Sequence, residues 1–64
     1  MESYKIRVVQ EKEELDKKIA DLESFFIGNI YPTIREEEKD RMQRQKLSMV
    51  NYSSILKERI LAFK

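Results

Sequence analysis

Cysteine and histidine are both absent from this chain, and glycine and proline occur once each. Without cysteine there are no disulfides and no thiolate metal sites. Without histidine the commonest general base and the commonest transition-metal ligand are gone. No apolar run approaches the roughly 18 residues that cross a bilayer, and the N-terminal Met-Glu-Ser-Tyr-Lys lacks the pattern of a secretory signal. Excess charge is missing too: 13 basic residues stand against 12 acidic ones, a net +1. That balance gives no field to draw the chain onto DNA or a membrane surface, so neither is expected as a partner. A soluble, cytoplasmic protein is the expectation.

What is present points to helix. Glu, Lys, Arg, Leu, Ile and Met dominate, and the only breakers, Gly28 and Pro32, sit together. The expected organisation is a single domain over residues 1–64, all-α, with a helix over 3–27, a turn over 28–33 and a helix over 34–62. The first helix has an apolar stripe at Tyr4, Val8, Leu15, Ile19, Leu22 and Phe26, interrupted by Glu11. Gly28 stands where a left-handed C-terminal cap would go. Thr33 and Glu36 have the spacing of a capping box for the second helix. Glu36, Glu37 and Glu38 then match the positive end of that helix's dipole, and Lys57, Arg59 and Lys64 the negative end.

The second helix carries a heptad seam at Met42, Gln45, Met49, Tyr52, Leu56, Arg59 and Phe63. A further row, Leu47, Val50 and Leu61, lies on a different side, with Ile55 and Ile60 adding width. One neighbouring helix cannot cover so much apolar circumference. A chain of 64 residues is also marginal by itself. Both point to a homo-oligomer. The short connection favours an antiparallel hairpin, with Tyr4 and Arg7 close to Leu56 and Arg59. One long bent helix with a second that pairs only between chains satisfies the same pattern.

Catalytic signatures are missing. There is no glycine-rich phosphate loop, HExxH or EF-hand loop. None of the serines has an identifiable base, and the acidic residues occupy the polar faces expected of solvated helices. A binding protein without cofactor or metal is expected, not an enzyme.

Glu11, Gln45 and Arg59 are polar residues on apolar stripes. Each alone reads as register control, an ion pair or a snorkelling stem. Together with Tyr4, Arg7 and Lys18 they permit a ligand site. Arg7 and Lys18 are eleven residues apart and point the same way on a helix, with Tyr4 within about 60° of Arg7. Aromatic rings that stack on bases and cations that meet phosphates are the parts of a nucleotide site. Tyr4 and Lys18 are about 21 Å apart along a helix, so a small ligand touching both takes them from different chains.

The run from Tyr4-Lys-Ile-Arg7-Val8 through Glu11, Glu14-Leu15, Lys18-Ile19 and Leu22 to Phe25-Phe26-Ile27-Gly28 continues in Arg41-Met42, Gln45-Lys-Leu47, Met49-Val-Asn-Tyr52, Ile55-Leu56 and Arg59-Ile60. In order and spacing these resemble the anti-CBASS cyclic-nucleotide sponge family of tailed phages, over nearly the whole chain. The resemblance implies a compact helical homohexamer in the host bacterial cytoplasm. It implies binding of cyclic dinucleotides between protomers, and in some members cyclic trinucleotides, held without cleavage so that immune effectors are starved of their activator. It carries ligand contacts onto Tyr4, Lys18 (with Lys17 as a substitute) and Arg59; Arg7 is added from the helical geometry. The rival readings are a structural or adaptor helical oligomer with no nucleotide ligand, and a small nucleic-acid-binding protein. The balanced charge and missing basic stripe weaken the last.

Overall fold

The computed structural model of the chain describes residues 3–63, with side chains from Tyr4 onward. Lys64, expected to act on the helix dipole, lies outside the described residues. Two long helices, α1 (Ser3–Phe26) and α2 (Glu36–Leu61), flank a 3-10 turn at Tyr31–Thr33. No strand occurs among the described residues. The helices fold back on each other as an antiparallel hairpin, so the bent-helix alternative does not apply. Tyr4 meets Phe63, Asp16 meets Ser53 and Glu23 meets Lys46, one after another along the pair. The result is a rod with extents of 48 × 16 × 13 Å.

The core is small. Val8, Leu15 and Leu56 are buried, and Ile19, Met49, Ile60 and Phe63 pack partly against them. On α1 these are members of the expected stripe. On α2 the seam takes the other phase. Met42, Met49, Leu56 and Phe63 face α1 as expected, but the positions between them are Lys46, Ser53 and Ile60, all buried or half-buried. Gln45, Tyr52 and Arg59 are exposed beside the seam. The four shared anchors fit either alternation of three and four. In the one that forms, Lys46 makes a half-exposed ion pair with Glu23 and the buried Ser53 donates a hydrogen bond to Asp16.

Both expected caps fail. Gly28 has no positive φ; α1 closes instead when the Gly28 N–H donates to the Phe25 carbonyl at 3.1 Å. The Thr33 hydroxyl turns back to the Ile30 carbonyl at 2.6 Å and is spent inside the turn. Ile34 and Arg35 are extended, α2 starts at Glu36 rather than 34, and Arg35 occupies its N-cap with no side-chain hydrogen bond. What sets the turn is an aromatic cluster: Tyr31 packs edge-on against Phe25 and tilted against Phe26, at 6.2 and 4.9 Å between centroids. Gln43 donates to the Tyr31 hydroxyl, and the Lys39 ammonium lies over its ring.

Candidate ligand-binding face

The hairpin has two long sides, and polar contacts identify each. One side carries Lys12, Asp16 and Ser53. The Lys12 ammonium donates to Asp16 at 2.7 Å and to Ser53 at 3.0 Å, and the Ser53 hydroxyl donates to Asp16 at 2.5 Å. The Lys12 hydrogen bond, followed by that from Ser53, holds the Asp16 carboxyl below its ordinary value of 3.8. Sequence reading missed this cluster because it lies on the seam phase that was not chosen; the polar residues at 46 and 53, in step with the methionine and leucine anchors, were the available signal. Of the described cations, Lys12, Arg35, Lys39, Arg41, Arg44 and Lys46 are in ion pairs.

The other side carries the candidate residues. Lys18 lines a groove of about 400 Å³ with Asp21, Leu22 and Phe25 of α1 and Met42, Gln45 and Met49 of α2. Lys17, its substitute, does not line this groove. Arg7 lies eleven residues before Lys18, so the two point within about 20° of each other. Arg59 follows Gln45 by fourteen residues and points within about 40° of it. Arg7, Lys18 and Arg59 are exposed, and none of their side chains makes a hydrogen bond or ion pair with a described residue. Three uncommitted cations therefore share one side of a molecule that pairs most of its others.

They do not form one pocket. Tyr4 is 56% exposed and packs edge-on against Phe63, centroids 5.8 Å apart, at the terminal end of the rod. It therefore pairs with Phe63, seven residues beyond the expected neighbour Leu56. Arg7 and Arg59 stand near this same end. In the antiparallel register Lys18 is level with residues 50–51, about nine residues or roughly 13 Å from Arg59. By this register Tyr4, Arg7 and Arg59 stand towards one end of the rod, and Lys18 is not level with them within one chain. Glu11, Glu14 and Asp21 lie between or beside these cations, so the side is mixed in sign, with cationic spots at two levels.

Among the described residues no group of three or more acidic side chains is placed to hold a metal ion, and no helix is long and apolar enough to cross a membrane. The profile of one protein family, Sequestin, matches residues 2–62. No curated protein and no solved structure matches the chain.

Proposed function

The chain belongs to the Sequestin family, and from that premise we propose that it binds and sequesters cyclic oligonucleotide second messengers without cleaving them. Cyclic dinucleotides are the primary ligands and cyclic trinucleotides a further class. The ligand sits between protomers of a homo-oligomer, a hexamer, in the cytoplasm of a bacterial host, where phage-encoded capture of the messenger keeps immune effectors inactive. The family's name supports sequestration. The observation that carries the nucleotide reading is the placement of Arg7, Lys18 and Arg59, unpaired and on one side of the rod.

The separation of Lys18 from the Tyr4–Arg7–Arg59 end is what an intermolecular site requires. If two chains meet on this side about a two-fold axis between those levels, Lys18 of one lies over Tyr4 and Arg59 of the other. Each residue then occurs twice. A cyclic dinucleotide has two phosphates and two bases in a nearly two-fold arrangement, so one lysine per chain serves both phosphates and one tyrosine both bases. Gln45 and Asp21 supply a donor and acceptors at the groove for base edges and ribose hydroxyls. Among the described residues the one serine hydroxyl bonded to a carboxylate, Ser53, lies on the opposite side, which supports retention over turnover.

Calorimetry on variants that keep their oligomeric mass tests the assignment. Lys18→Ala removes two charge-assisted contacts from a two-fold pocket. At roughly 1.5–3 kcal/mol each, affinity should fall by two or more orders of magnitude. Arg59→Ala should also weaken binding, and Tyr4→Ala should cost on the order of 1–3 kcal/mol per stacked base. Parent-like binding by both cation variants would reject the pocket. No cyclic-nucleotide binding by the parent would leave the structural-oligomer reading in its place.

A further inference from the structure

The charges on the groove side of α1 form a regular row. Arg7, Glu11, Glu14, Lys18 and Asp21 step by four, three, four and three residues, and Phe25 continues the row by four. Residues so spaced lie along one stripe of a helix. Lys18 therefore has a carboxylate about one turn to either side, Glu14 towards the chain termini and Asp21 towards the hairpin turn. At the same spacings on α2, Glu36–Lys39, Glu38–Arg41 and Asp40–Arg44 close into ion pairs. In the α1 row none does, and these charged side chains make no hydrogen bond or ion pair with a described residue. Lys18 and Asp21 both line the groove of about 400 Å³, whose apolar walls include Phe25, Met42 and Met49. Open charges of opposite sign thus stand at one apolar groove.

Such a row ranks anions by how much charge they carry and how far it extends. A bridging phosphodiester holds a single negative charge and fits within the reach of one ammonium. A terminal phosphate holds about −1.5 to −2 at neutral pH, and a polyphosphate runs on beyond the lysine. Either brings negative charge towards Glu14 or Asp21. At about 8 Å and the effective dielectric of a protein surface, one such repulsion lowers affinity roughly tenfold or more. The Asp21 carboxylate accepts from a hydroxyl or a base N–H but repels phosphate, so the nucleoside rather than the phosphate enters the groove beside Phe25. Nucleoside triphosphates offer the same bases with more charge, and a purely cationic face would collect them first. Here Arg7, Lys18 and Arg59 are matched by Glu11, Glu14 and Asp21, which leaves no net positive field to do so.

Resting on the sequestering reading above, we propose that Glu14 and Asp21 are specificity-determining residues. Flanking Lys18, they admit the bridging phosphodiesters of a cyclic nucleotide and exclude nucleotides that carry terminal phosphates, both linear dinucleotides and nucleoside triphosphates. The acids on the binding side are then a filter for charge, and the affinity lost to them is exchanged for selectivity.

Competition on the full chain, with labelled cyclic di-AMP as the probe at low ionic strength, tests this. The competitors are linear ApA, without a terminal phosphate, and linear pApA, with one. They share bases, sugars and flexibility, so ring shape cancels between them and only the terminal charge differs. The parent should be displaced at least about tenfold less well by pApA than by ApA, and ATP should compete no better than pApA. The gap between ApA and pApA should narrow in Asp21→Asn and Glu14→Gln chains. In the parent it should also narrow when salt is raised to about 1 M, because screening removes the repulsion; a merely structural role for the two acids gives no such salt dependence. Displacement by pApA equal to that by ApA in the parent would overturn the proposal, as would a gap unchanged in both variants. Displacement by neither linear compound would assign the selection to ring shape and overturn it too. A parent that binds neither cyclic di-AMP nor any other cyclic dinucleotide would remove the sequestering reading itself, and this one with it.

Discussion

At the level of single residues, Asp16 is the group whose surroundings make a measurable difference. Lys12 and Ser53 both donate to it, and its carboxyl is held below 3.8. A lowered folded value means the fold favours the carboxylate. Its contribution is therefore full above the ordinary value and is lost as pH falls through the folded one. Asp16→Asn should lower the melting temperature at neutral pH, and the gap to the parent should close in acid near pH 2. A gap of equal size at both pH values would show that the carboxylate's charge plays no part. Asp16 is about half exposed, so the effect is modest. Its value to the fold is also one of register: with Lys12 it satisfies the buried Ser53 hydroxyl.

Among the elements, the start of α2 is the weak point. Arg35 sits at the N-cap without a side-chain hydrogen bond. Arg35→Asp should satisfy an orphan backbone N–H and raise stability by roughly 1 kcal/mol in denaturant titration. At Gly28, a Cβ would meet only the carbonyls of Phe25 and Ser24, at 3.4 and 3.6 Å, and φ is not positive. Gly28→Ala should therefore be neutral or stabilising by about 0.4–1 kcal/mol; a clear destabilisation would restore the left-handed cap. These elements show which sequence signals were sufficient. The α1 stripe was legible because Val8, Leu15, Ile19 and Leu22 fit a single helical phase. The α2 seam was not, because Met42, Met49, Leu56 and Phe63 fit two phases, and the phase that forms places the polar Lys46 and Ser53 between them, where an apolar pattern does not find them. The capping box was misread because Thr33 finds a nearer acceptor in its own 3-10 turn. At the candidate site, the common direction of Arg7 and Lys18 follows from their spacing. The groove of Phe25, Met42 and Gln45 does not, since it depends on which residues of α2 face α1.

For the whole molecule, the three buried apolar side chains among the described residues are few for a chain of this length, and domains this small lean on partners. Light scattering on a sizing column should give a multiple of 7.8 kDa at micromolar concentration; a clean monomer would contradict the intermolecular site proposed above. Sequestration is the central claim, and mass balance tests it most directly. An excess of the full chain is mixed with a cyclic dinucleotide and spun over a membrane that retains the oligomer. The retained fraction is then heat-denatured and chromatographed. The account predicts that the nucleotide stays with the protein and is recovered as the intact cyclic compound. Free passage through the membrane, or recovery of a linear product, would contradict it.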